Sequence, residues 1–343
     1  MMPDPPLTVL CITGWFRNGS TIIGNILNEV PGFFHAGELR ALWKNAAGKG
    51  ANNLCGCGQP LTACAVWSEI LASLPPPGTS LQEYADEVNH RQLGYVRARH
   101  TWRVLDRGLH SDAIREHADL MTRTYRAIAE RTGARVIVDT TKVPGHVALL
   151  PNVPAVTPYF VHLVRDPRAA AYSWRNWKQY VYAMPAAKST GYWDLFNLGS
   201  EAITRRYPER SLLLRYEDFI ADPDMAIDAL LELCGEGRDA NPVRGRVVDL
   251  HVNHTVLGNP DRFTVGPTTI RETDDGWRAG LPASAKLAAM TISWPLLAAT
   301  GTGTGARSPQ SLPGPALDGL ATRGCPAHDH RRHQRRRLGR GQD

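Results

Sequence analysis

Residues 7–21, LTVLCITGWFRNGST, run directly into IIGNILNEV, and the junction between the two segments organises the chain. Leu7, Val9, Leu10, Cys11 and Ile12 read as a short buried strand, residues 14–19 as a turn, and Thr21, Ile22, Leu27 and Val30 as the start of an amphipathic helix. A strand, a glycine-bounded loop and a helix in succession gather backbone N–H groups at the helix N-terminus. There the unsatisfied donors and the positive end of the helix dipole favour a phosphate or sulfate. The spacing nearly matches the phosphate-binding pattern G-x-x-x-x-G-K-[ST], with Gly14 and Gly19 as the glycines and Thr21 as the closing hydroxyl. Ser20 replaces the lysine, and the nearest cation is Arg17, inside the loop. A loop without that lysine is poorly suited to triphosphate hydrolysis but keeps the donors for a phosphosulfate group. The competing expectation is a strand-to-helix turn whose glycines serve backbone shape alone.

Downstream segments supply the rest of an open parallel sheet. Phe33, Phe34 and Ala36 form a second strand broken by Gly37, which leaves Glu38 at a carboxyl end, the edge where such sheets bind ligands. Glu38 there suits a general base, and equally a helix-start glutamate favoured by the dipole. Residues 136–138 form a core strand ended by Asp139, with Lys142 just beyond at the same edge. An aspartate so placed is similar to the magnesium-holding residue of phosphate-loop kinases. PYFVHLV (158–164) runs into RDPRAAAYSWRNW, where Arg165 leaves the strand and Ser173 lies about two helical turns on, so that the two can share one phosphate. Arg168 is expected to pair with Asp166 or Asp218. Residues 212–214 give a fifth strand, DPDMAIDALLELCG an acid-capped helix closed by Gly235, and HTVLGNPDRFTVG a loop carrying Arg262.

The 343 residues, 43% of them hydrophobic, are ample for a core. The formal charge of +6 misleads, because beyond residue 300 eight arginines face only Asp318, Asp329 and Asp343. Residues 1–300 keep 31 basic and 30 acidic groups, which argues against nucleic acid as a partner. No apolar run is long enough to span a bilayer and the start MMPDPP lacks signal-peptide features, so the expectation is a soluble, cytoplasmic protein. Residues 1–300 are expected to form one domain with a mostly helical insertion at 48–132 on the acceptor side, followed by a disordered basic tail over 301–343. Cys55, Cys57 and Cys64 have the spacing C-x-C-x6-C. Three ligands with no fourth close in sequence point to packed thiols or a local disulfide rather than zinc. Trp43, Trp67, Trp174, Trp177, Tyr180, Tyr182, Tyr192 and Trp193 offer aromatic walls for an acceptor.

Taken together, these segments resemble the sulfotransferases that use 3′-phosphoadenosine 5′-phosphosulfate (PAPS), from about residue 7 to residue 297. GWFRNGST looks like the family's phosphosulfate loop, with Arg17 at the basic position, Gly19 and Thr21 kept, and Asn18 and Ser20 conservative departures. RDPRAAAYS is similar to the 3′-phosphate motif, giving Arg165 and Ser173. VDTTKVP resembles the segment whose lysine contacts the transferring group, giving Lys142. GNPDRF suggests Arg262 as a 3′-phosphate clamp, and GEL is similar to the segment that supplies a glutamate base in the tyrosine-sulfating branch, here Glu38. The resemblance implies an α/β, P-loop-like three-layer fold with a central parallel sheet of about five strands. It implies catalysis by Glu38, Lys142 and Arg17, and PAPS binding through Gly14, Arg17, Asn18, Gly19, Ser20, Thr21, Arg165, Ser173 and Arg262. It implies no metal, and an acceptor that is a small molecule, a carbohydrate or a lipid. A kinase using Mg-ATP through Asp139 and a non-catalytic nucleotide-binding protein are the alternatives.

Overall fold

Side chains on a strand point alternately to opposite faces, and in β1 (Leu7–Thr13) both faces are apolar. Val9 and Cys11 enter one core, Leu10 and Ile12 another, and all four are fully buried. Burial on both faces is the signature of a parallel sheet covered by helices on either side. β2 (Phe33–Gly37), β3 (Val136–Lys142), β4 (Val156–Val164) and β5 (Ser211–Arg215) complete the sheet in the order β2-β3-β1-β4-β5. Every neighbour is parallel, as expected of the central sheet. In this computed structural model the described residues are 6–50, 52–107, 111–154, 156–175 and 183–300. The tail over 301–343, and Trp177, Tyr180 and Tyr182, lie outside them.

One layer comes from the residues between β2 and β3. Helices Trp67–Ser73, Leu81–Gln92 and Asp112–Thr132 lay Trp67, Leu71, Tyr84, Val88 and Tyr125 on the face formed by Val9, Phe34 and Ile137. Local chemistry sets their limits: Ser80 and Glu83 form a reciprocal capping box, and Gly133 closes the long helix in the left-handed region. The opposite layer holds α1 (Ser20–Asn28) and helix Pro223–Leu233, capped by Asp222. This layer also holds a feature the sequence reading missed, an antiparallel pair of short strands, β6 (Val247–Leu250) and β7 (Gly266–Thr269). Between them the chain crosses back over the carboxyl edge of the sheet.

Two expectations shift. β3 does not end at Asp139: it continues to Lys142 through a register shift opposite Cys11 and Thr13, which puts Lys142 at φ +60°. Nor do the clustered cysteines form a disulfide, since Cys55 Sγ and Cys64 Sγ stand 3.5 Å apart and both are free thiols. No helix among the described residues is long and apolar enough to cross a membrane.

Candidate functional site

The loop between β1 and α1 is shaped by two close approaches that only glycine allows. Gly14 has φ +130°, and a Cβ there would lie 2.4 Å from the Leu163 carbonyl oxygen. Gly19 caps α1 at φ +94°, where a Cβ would meet the Tyr216 ring at 2.3 Å. Asn18 ties the loop to β4 by donating from Nδ2 to Leu163 O (3.0 Å), while its Oδ1 accepts the Ser20 N–H (3.3 Å). Gly14 and Asn18 therefore set the loop's course, and the Gly14 N–H is itself spent on the Lys142 carbonyl (3.4 Å). Arg17, Gly19, Ser20 and Thr21 face a cavity of about 510 Å³.

Arg17 carries the charge of that loop. Its backbone is held at φ +70°, its side chain is buried, and its Nη1 donates to Asn259 Oδ1. Its Nε and Nη2 are buried with no partner among the described residues. Burial, and then the neighbouring Arg165, push its pKa below the usual arginine value. A buried cation with donors to spare is costly unless an anion arrives to take them.

Across the cavity, Lys142 Nζ donates to Glu38 Oε1 (2.7 Å) and to the Thr140 carbonyl (3.0 Å). Glu38 sits where β2 ends and a single helical turn begins, and its side chain lines the same space. Only three non-glycine residues among those described adopt positive φ, and two of them are Arg17 and Lys142. Strain of this kind is held in place where the surrounding fold needs a side chain aimed in one direction. The sheet edge thus brings together the loop, Glu38 and Lys142, as the sequence spacing suggested.

A second cavity of about 380 Å³ shares Arg17, Gly19, Thr21 and Asn259 with the first and contains Arg165 and Ser173. Arg165 offers the forked geometry expected of it, but the fork is already engaged. Nε and Nη2 donate to Asp274 (2.7 and 2.6 Å), Nη1 donates to the Arg17 carbonyl (2.5 Å), and the guanidinium lies 4.9 Å from the Tyr216 ring centre. Tyr216, Phe219 and Ile270 give this cavity apolar walls, and Arg271 adds a cation that the sequence reading overlooked. Arg168 pairs with Asp166 (2.5 Å), as anticipated.

Other candidates sit elsewhere. Arg262 lines neither cavity: it is fully buried and donates to the carbonyls of Gly258 (2.8 Å) and Leu54 (3.0 Å), so it binds backbone rather than facing a ligand. Asp139 turns into the helical layer, where it accepts the Tyr125 hydroxyl (2.8 Å) and the Thr141 N–H (2.9 Å). It is therefore not at the phosphate loop, where a kinase would need it. Of the aromatic candidates, Trp174 lines the first cavity, while Trp43, Trp67 and Trp193 are core residues. Tyr192 is half exposed and stacks on Trp15 at 5.3 Å. Trp15 and Phe16, inside the glycine-bounded loop itself, supply the walls that the sequence reading sought farther along.

Residues 10–239 match the profile of the sulfotransferase family. Among solved structures the chain is similar to the sulfotransferase domain of the Synechococcus PCC 7002 olefin synthase, at 18% identity over 86% of this chain and 97% of that one, with a TM-score of 0.45. It is similar also to the sulfotransferase domain from the curacin biosynthetic pathway, at 17% identity over 85% and 97% of the two chains, TM-score 0.44. Sulfotransferase STF9 from Mycobacterium avium shares 14% identity over 86% and 77%, TM-score 0.44. The comparison with curated proteins gives no match.

Proposed function

Since the chain belongs to the sulfotransferase family, we propose that its donor is PAPS and that it moves the sulfuryl group to a hydroxyl or amine of a small-molecule, carbohydrate or lipid acceptor. The observation that carries this reading is the Arg17 guanidinium, buried with two nitrogens that have no partner among the described residues, on the lining that the two cavities share. Arg17 and the N–H groups at the start of α1 would hold the phosphosulfate. Arg165, Ser173 and Arg271 would hold the 3′-phosphate, which ATP lacks, and Tyr216, Phe219 and Ile270 would pack against the purine. The acceptor would enter between Trp15, Phe16 and Trp174.

Glu38 would accept the acceptor's proton as its oxygen or nitrogen bonds to sulfur, while the bond from sulfur to the phosphate oxygen breaks and 3′,5′-adenosine diphosphate leaves. Lys142, already 2.7 Å from Glu38, links the base to the transferring group and balances the negative charge that shifts to the leaving phosphate. Calorimetric titration with 3′,5′-adenosine diphosphate and, separately, with Mg-ATP tests the reading. Tight binding of the bisphosphate alone supports it and justifies an acceptor screen with labelled PAPS. Preference for Mg-ATP overturns it.

A further inference from the structure

The three cysteines after β2 meet a histidine from far along the chain. Cys55 opens a turn in which the Gly58 N–H donates to the Cys55 carbonyl (2.9 Å), and Gly58 closes it at φ +83°. Cys64 follows the short turn Leu61–Ala63, and His254 arrives from the strap after β6, 190 residues later. The ligand atoms of all four lie within 4.8 Å of one another. Cys55 Sγ and Cys64 Sγ are 3.5 Å apart, and His254 Nδ1 stands 3.2 Å from Cys64 Sγ and 3.7 Å from Cys55 Sγ. A disulfide needs about 2.05 Å. A tetrahedron with Zn–S of about 2.3 Å and Zn–N of about 2.0–2.1 Å has edges of roughly 3.5–3.8 Å. The three measured spacings of 3.2, 3.5 and 3.7 Å lie around those edges, so these ligands close on one ion with shifts of a few tenths of an ångström, and Cys57 lies within 4.8 Å of them.

We propose that Cys55, Cys57, Cys64 and His254 bind one zinc ion as a closed structural site. Four protein ligands leave no position for substrate, and none of the four lines the transfer cavity, so the ion's work is mechanical. Its surroundings suit it. The Val66 N–H donates to Cys64 Sγ (3.4 Å), the Trp67 indole N–H fixes the His254 carbonyl (2.5 Å), and Arg131 reaches the Ala65 carbonyl (2.7 Å). Arg131 also pairs with Glu69 (2.8 Å), so it holds the backbone beside the centre with its own charge balanced.

What the ion joins is the strap to the loop after β2. Gly56 donates to the Thr255 carbonyl (2.9 Å), an approach so close that a Cβ on Gly56 would sit 2.0 Å from Asn253 Oδ1. Past this point the strap reaches Asn259, whose N–H donates to Thr21 Oγ1 (3.3 Å) and whose side chain receives Arg17. Arg262 fastens the same two segments through Leu54 and Gly258. Zinc and Arg262 together thus fix Asn259 against the loop that would hold the donor.

Metal analysis of the untagged full-length chain, purified without chelator, is expected to find about one zinc per chain. Exchange into cobalt is expected to give the thiolate charge-transfer and intense d–d bands of a tetrahedral, sulfur-rich site. The Cys55→Ser/Cys64→Ser double variant should lose the metal and Cys234→Ser, at a thiol outside the cluster, should keep it. Because a ligand variant risks misfolding, the wild-type cobalt spectrum carries the test by itself. Wild-type protein with little zinc and no cobalt–thiolate band overturns the proposal, as does full zinc retention by the double variant. A disulfide mapped by peptide mass analysis between any two of Cys55, Cys57 and Cys64 overturns it too.

Discussion

The two cation sites that border the cleft are finished to different degrees. Arg17 is buried with two nitrogens unpartnered among the described residues, and Lys142 is bound to Glu38 and one carbonyl. Arg165 has every arm of its fork engaged, by Asp274 and the Arg17 carbonyl, over the face of Tyr216. An anion at Arg17 breaks no protein contact, whereas a phosphate at Arg165 meets a guanidinium that already donates from all three nitrogens and competes with a carboxylate for it. The first arrangement suits charge that develops during a reaction, the second suits discrimination between ligands.

The largest expected effect lies on the first side. Glu38→Gln keeps the shape and the hydrogen bond from Lys142 but removes the proton acceptor. Single-turnover transfer from PAPS should fall by about 10²–10⁴-fold, with affinity for 3′,5′-adenosine diphosphate unchanged by calorimetry. Unaltered turnover removes Glu38 from the mechanism. On the second side, Arg165→Ala should weaken bisphosphate binding by about 30–100-fold, roughly 2–3 kcal/mol. Arg262→Ala separates binding from scaffolding: stability should drop by about 2–4 kcal/mol as two buried carbonyls lose their donor. The bisphosphate should still bind the folded fraction with near wild-type affinity. A loss matching that of Arg165→Ala would restore Arg262 as a clamp.

Glu217 supports the second site from behind by accepting the Asp166 N–H (2.8 Å), and its other oxygen is buried without a partner among the described residues. Burial pushes its pKa up to about 7 from 4.5, against the pull of the Asp166 N–H. The protonated form is therefore the one the fold favours. Its contribution is complete below the ordinary glutamate value and is lost as pH rises through about 7. Glu217→Gln should flatten that part of the stability profile and leave the protein more stable at pH 8 by about 1–2 kcal/mol in denaturant melts. A profile that keeps its slope assigns the titration to another group.

How much of this was legible in the sequence follows the range of the interactions. β1, the glycine loop and α1 are contiguous, so periodicity and spacing expose them, and β3, β4 and β5 show as apolar runs because both of their faces are covered. β6 and β7 are four residues each and alternate between exposed and part-buried or buried positions, too short a pattern to stand out within a loop. Glu38, Lys142 and Arg165 are readable because strand ends fix their place, and Ser173 because the helix that follows β4 carries it about two turns on. The direction of Arg262 is not, because the Leu54 carbonyl that holds it lies 208 residues away. Nor is His254 visible as a companion to the cysteines, or Asp274 as the partner of Arg165 109 residues earlier. A tertiary partner leaves no mark on local spacing.

Asp274 is also where the contrast between the two sites is most finely tested. Its carboxylate is largely buried, takes both Nε and Nη2 of Arg165, and lies 3.7 Å from Arg271 Nη1. Two of the cations bordering the second cavity thus share one internal counter-ion. Asp274→Asn removes that charge and leaves a weaker acceptor in the same place. Arg165 would still be held by the Arg17 carbonyl and by Tyr216, so its position should persist while its competitor is gone. The bisphosphate should then bind more tightly by about 3–10-fold, with a steeper dependence on salt, because a pair of cations without its internal counter-ion attracts the incoming anion over a longer range. A fall in affinity of similar size would mean that Asp274 aims the guanidinium rather than guards it. In that case the second site is preorganised like the first, and the difference between the two cation sites disappears.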